Sequence, residues 1–128
     1  MTETKSKQRE TCETLFGSMI KQDFDTFATC LTDDVFYRVG SSEPIHGKQG
    51  VIDFLKSFYT QVQMQAPETR QVIELPEKDQ VIFEFETNYL RLKDNKVIHF
   101  ACTDVMRMAG DKIKEWRVYV DISPLYRD

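Results

Sequence analysis

Along the first third of the chain the apolar positions keep a helical period. Leu15/Met19 and Phe16/Ile20 stand four apart, so residues 9–21 are expected to form an amphipathic helix. Gln22-Asp23 breaks that stripe, and Asp23 is placed to cap a second helix with Phe24, Phe27, Ala28 and Leu31 on one face. Thr32-Asp33-Asp34 ends it, residues 35–39 read as a short strand, and Gly40-Ser41-Ser42-Glu43-Pro44 as a turn. Ile45-His46-Gly47 then leads into a third helix, whose buried stripe is Val51, Leu55, Phe58 and Val62 and which Ala66-Pro67 closes.

Beyond this point the period falls to two. Residues 69–75, 80–92, 97–108 and 112–122 read as strands, joined by short polar links at 76–79, 93–95 and 109–111. Links of that length make hairpins, so these strands are expected to be antiparallel. In the last strand, alternation puts Lys112, Lys114, Trp116, Val118 and Val120 on one face. Ile113, Glu115, Arg117, Tyr119 and Asp121 fall on the other. Pro124 removes a ladder donor and stops the strand. Helices followed by long hairpin-linked strands give an α+β class, with three N-terminal helices packed on a curved antiparallel or mixed sheet. A sheet that curls around helices leaves a cone-shaped space, which is a natural pocket.

Composition adds bounds rather than detail. The 128 residues suit one domain over 1–128, with the polar residues 1–8 expected to be disordered. Hydrophobic residues at 41% and charged residues at 30% are ordinary for a soluble globular chain. A net charge of -4 without a basic cluster argues against nucleic acid, and no apolar run is long enough to span a membrane. The start is not a secretory signal, and three widely spaced cysteines read as reduced thiols, so the cytoplasm is the expected compartment. His46 and His99 have no ligand spacing, so no metal is expected. No phosphate loop, GxSxG or dinucleotide fingerprint is present, so no cofactor is expected either.

Three stretches, FDTFATCLTDDVFYRVG, SSEPIHGKQGVIDFLKSF and TDVMRMAGDKIKEWRVYVDISP, resemble the nuclear transport factor 2-like superfamily of cystatin-like cone folds, and within it SnoaL-like proteins. The resemblance spans residues 9–125. It implies a ligand cavity under the sheet, a small hydrophobic ligand and a homodimer through the outer face of the sheet. It does not imply one activity, because such folds host enzymes, binding modules and dimerisation domains.

Three enzyme templates of that superfamily can be laid on the chain. Limonene epoxide hydrolase-like members use an Asp-Arg-Asp set with a Tyr. Asp121 and Tyr37 match two of those positions, while Thr87 and Tyr89 stand where the Arg and second Asp would be. Ketosteroid isomerase-like members place a protonated Asp on the penultimate strand, matched by Asp104. Their base and helix Tyr are replaced here by Tyr37 and Leu15. Polyketide cyclases of the SnoaL type also point to a carboxyl at Asp104. No template is complete.

The candidate catalytic residues are therefore Asp104, Asp121 and Tyr37, with Tyr89, Tyr119, His46 and Phe58 as candidate substrate contacts. Asp104 lies among Phe100, Cys102, Met106 and Met108 on one strand face, where desolvation would raise its pKa. The competing reading pairs it with Arg91, Arg107 or Arg117. For Asp121 the competing reading is a pair with Arg38 or Arg117, or an outward carboxylate at the strand end. Tyr37 and Tyr89 are either donors to a ligand or core bulk, and His46 either a ligand contact or a solvated loop residue. Two functions remain open: cofactor-free isomerisation, cyclisation or hydration of a hydrophobic substrate, or a non-catalytic ligand-binding or dimerisation module.

Overall fold

The computed structural model describes residues 5–127. The expected disorder of residues 1–8 falls outside them for 1–4, while 7 and 8 are helical. The first helix, α1 (Lys7–Lys21), starts earlier than its apolar stripe because the Ser6 side chain accepts from the Arg9 N–H at 3.0 Å. It buries Cys12, Leu15, Ser18 and Met19, whereas Ile20 is exposed. Asp23 caps α2 (Phe24–Thr29) through the Thr26 N–H, as its position predicts. Leu31 belongs not to that helix but to β1 (Leu31–Val39). A two-residue strand, β2 (Ile45–His46), precedes α3 (Lys48–Phe58), which buries Val51, Ile52 and Leu55.

The third helix is shorter than its stripe. Val62 lies in β3 (Val62–Met64), which pairs with residues 89–91. The four remaining strands are β4 (Glu68–Leu75), β5 (Gln80–Arg91), β6 (Lys96–Ala109) and β7 (Lys112–Tyr119). The sheet runs β2-β1-β7-β6-β5-β3, with β4 also on β5. The outer edge of β5 is thus shared, β4 covering residues 80–86 and β3 its far end. The hairpins are antiparallel, but β1 and β7 are parallel, so the sheet is mixed. It curls strongly around the helices into an α+β cone.

The face assignment in β7 needs correction. Ile113 and Trp116 are both fully buried, although strict alternation puts them on opposite faces. The pairing shows why: Arg107 opposes Glu115 and Met108 opposes Ile113, leaving Lys114 as an extra residue. This β-bulge flips the start of the strand relative to the rest. The strand also stops at Tyr119 rather than Ile122. Gly40, at φ +53, turns the end of β1 there, and a Cβ on it would lie 3.0 Å from the Val120 carbonyl oxygen.

The main core sits between the concave face and the helices, with Trp116, Phe27, Phe83 and Leu15 fully buried. A smaller cluster of Val62, Ile98, Phe100 and Leu125 closes the other end. Leu125 lies in a short 3-10 turn, Ser123–Tyr126. Arg91, itself paired with Asp94 at 2.7 Å, donates to the Leu125 and Arg127 carbonyls and anchors that turn. Among the described residues no helix is long and apolar enough to cross a membrane.

Candidate functional site

Between these two clusters lies a cavity of about 330 Å³. Its floor is the concave face of the sheet, where the alternation of each strand selects what enters: Tyr37 from β1, Phe85, Thr87 and Tyr89 from β5, Cys102 and Asp104 from β6, Trp116 and Val118 from β7. The roof is Phe16 and Met19 of α1 with Phe54, Leu55, Phe58 and Tyr59 at the end of α3. Ser42, Glu43, Ile122 and Tyr126 stand at its rim.

Among the described residues Asp104 is the one carboxylate set into the floor. It is 5% exposed. The Trp116 indole N–H donates to its Oδ2 at 3.0 Å, while Oδ1 is buried without a protein partner. The arginines that could have paired with it are occupied elsewhere. Arg107 and Arg117 share Glu115 on the convex face, and Arg91 holds Asp94 and the C-terminal turn. Burial therefore dominates: it pushes the Asp104 carboxyl up to about 7, with the Trp116 N–H and the Cys102 thiol holding it back. Burial and the nearby carboxyl push the Cys102 thiol up to about 12, so it is a neutral small residue of the wall.

Three tyrosines face this space. Tyr37 is 4% exposed, and its ring lies 4.5 Å from that of Trp116, centroid to centroid. Tyr89 packs edge-on to Phe58 at 5.6 Å. Burial raises the hydroxyl pKa of Tyr37, Tyr59 and Tyr89, so all three stay protonated and able to donate. The Tyr59 hydroxyl and the Thr87 hydroxyl, like Asp104 Oδ1, are buried without a protein partner. Among the described residues no group of side chains has the makings of a metal site.

The cavity thus gathers Asp104, Tyr37, Tyr89 and Phe58 from the sequence-derived candidates, and leaves out three. Asp121 does not turn toward the hollow. It is exposed, accepts from the Ser123 N–H at 3.0 Å, and that bond holds its carboxyl below the usual range. Alternation is the cause: Trp116, Val118 and Val120 line the cavity, so Asp121 falls with exposed Tyr119 on the opposite side. Tyr119 is 54% exposed on the convex side, and His46 is exposed beside Phe36, ring centroids 5.5 Å apart. Asn88, next to Tyr89 in β5, points to the opposite face and bonds His99 there. Tyr59, Thr87 and the role of Trp116 were not legible as site features. Trp116 shares the inward face with Val118, and Val118 pairs with Asp104, but only the register reveals that proximity.

Residues 13–116 match the family model of the SnoaL-like domain. Among solved structures, a nuclear transport factor 2-like protein of unknown function from Burkholderia pseudomallei K96243 superposes with a TM-score of 0.86 at 14% identity, covering 96% of this chain and 97% of that one. An epoxide hydrolase from M. tuberculosis, similar to limonene epoxide hydrolase, gives 0.79 at 18% identity over 94% and 86%. A candidate polyketide cyclase from Xanthomonas campestris pv. campestris gives 0.81 at 12% identity over 93% and 96%. At these identities the likeness establishes the fold. No curated protein matches the chain significantly.

Proposed function

The chain belongs to the SnoaL-like domain family, and from that premise we propose that it binds a small, largely apolar carbonyl compound and moves a proton on it without a cofactor. The observation that carries the reading is Asp104: a carboxyl with one oxygen fixed by Trp116, the other unpaired, and no cation beside it, in the wall of an aromatic cavity. A carboxyl titrating near neutrality is divided between acid and base at working pH, which is what general acid–base catalysis requires.

The step is a proton shuttle. Asp104 carboxylate takes a proton from a carbon next to the carbonyl, and the electron pair of that C–H bond moves toward the carbonyl oxygen. A neutral tyrosine hydroxyl, Tyr37 or Tyr89, donates a hydrogen bond to the enolate oxygen. Asp104 then returns the proton, to the same carbon or to a conjugated one, and the carboxylate is restored. Isomerisation and ring closure by an enol carbon both start from this step. Epoxide hydrolysis is not proposed: no Arg or second carboxylate stands beside Asp104 among the described residues, Thr87 and Tyr89 occupying the template positions.

Exchange of acidic C–H protons from deuterated water into aromatic 1,3-diketones, followed by NMR, tests the reading. The native protein is expected to accelerate exchange with an inflection near pH 7, and Asp104→Asn to reduce it by about 100-fold or more. Asp121→Asn, outside the cavity, is expected to leave the rate within about two-fold. Binding of the diketones with no accelerated exchange would leave a ligand-binding module, and equal rates for Asp104→Asn and native protein would remove Asp104 from the chemistry.

A further inference from the structure

We infer that Thr87 is a second recognition point of this cavity, and that the cavity selects an uncharged, elongated ligand bearing a hydroxyl or carbonyl oxygen at each end, one at Asp104 and one at Thr87. The inference rests on the reading of Asp104 given above and goes beyond it in naming the ligand's shape, charge and second contact.

Two observations carry it. The first is spacing. Thr87 pairs with Phe100 and Asp104 pairs with Phe83, so the two residues are four positions out of step on adjacent strands, with Phe85 and Cys102 between them on the same face. Four residues along the strand, about 13 Å, combined with one inter-strand step of ~4.8 Å separate the two positions by about 14 Å. A hydrogen bond at each end takes up ~3 Å, leaving about 8 Å between the ligand oxygens. Thr87 is 5% exposed and its hydroxyl has no protein partner. A buried hydroxyl left unpaired is unfavourable, and a Val would fill the same volume without that penalty. A bound oxygen gives the hydroxyl its use.

The second observation is charge. No Lys, Arg or His lines the cavity among the described residues, and the two ionisable acids that do, Asp104 in the floor and Glu43 at the rim, repel anions. A carboxylate or phosphate entering here would be desolvated with no cation to receive it. The epoxide hydrolase-like template would put an Arg where Thr87 stands, and that exchange turns a charged position into a neutral donor and acceptor.

Four naphthalenes separate these features: 2,6-dihydroxynaphthalene, 2-naphthol, 2-naphthoate and 2-naphthylmethylammonium, titrated calorimetrically against native protein, Thr87→Val, Thr87→Ser and Asp104→Asn. The diol is expected to bind native protein about 5–10-fold tighter than 2-naphthol. Thr87→Val is expected to remove that advantage without altering 2-naphthol binding, and Thr87→Ser to keep it. In the absence of ligand Thr87→Val is expected to raise the melting temperature, the opposite sign to its effect on the diol, which a purely structural threonine would not produce. Naphthoate is expected to bind at least tenfold more weakly than 2-naphthol. The inference is overturned if Thr87→Val binds the diol as the native protein does, or if naphthoate or the ammonium compound binds tighter than the diol. If the neutral probes bind, depend on Asp104 and ignore Thr87, the inference fails and the Asp104 reading stands. If neither neutral probe binds the native protein, both fall.

Discussion

At Asp104 two effects act on one carboxyl. Desolvation disfavours the charged form, while the Trp116 indole N–H and the Cys102 thiol favour it. Desolvation wins because two neutral donors, one of them a weak thiol, replace only part of the hydration a carboxylate loses. The consequence for stability has a definite sign. The native state holds the Asp104 proton up to about pH 7, while the unfolded chain releases it near the ordinary Asp value, about 4. Between those values the native state binds the extra proton, so stability falls as pH rises through the window and levels off above it. The penalty at pH 8 is on the order of 3–4 kcal/mol. Asp104→Asn is therefore expected to melt several degrees higher than the native protein at pH 8 and to show little difference at pH 4, measured by calorimetry across that range. A constant difference at every pH would mean that the carboxyl stays ionised inside.

Among the elements, those with local causes were legible in the sequence. Asp23 is an example: the side chain of one residue accepts from the Thr26 N–H and hydroxyl, a contact that needs no distant partner. Asp23→Ala is expected to lower the urea midpoint of unfolding, with most of the loss absent in Asp23→Ser. The strands β5 and β6 were legible because their alternation is unbroken over twelve paired positions, which also put Asp104 inside. The third helix was over-extended because Val62 continues its stripe, yet the free end of β5 takes Val62 as a strand partner. A tertiary pairing outweighed a local period. The bulge at Lys114 misled the face assignment for a similar reason: it shows only in the pairing of β7 with β6, and nothing within the segment announces it.

On the scale of the whole molecule, the cavity depends on a closure made far from it. The C-terminal turn seats Leu125 in the second cluster, and the Arg91 clamp on its carbonyls keeps Ile122 and Tyr126 at the rim. Leu125→Ala is expected to cost about 2–4 kcal/mol in chemical denaturation and to weaken ligand binding through the loosened rim. Unchanged affinity would show that the rim does not contribute. The sequence by itself determined the α+β order, the caps, the hairpins and an acid among apolar neighbours on β6, since each follows from residues within a few positions of one another. Tertiary structure alone decided that β1 runs parallel to β7, that among the described residues no arginine reaches Asp104, and that Thr87 and Asp104 line one hollow. Those facts depend on register and curvature between segments distant in the chain, where a shift of one residue exchanges the inside for the outside.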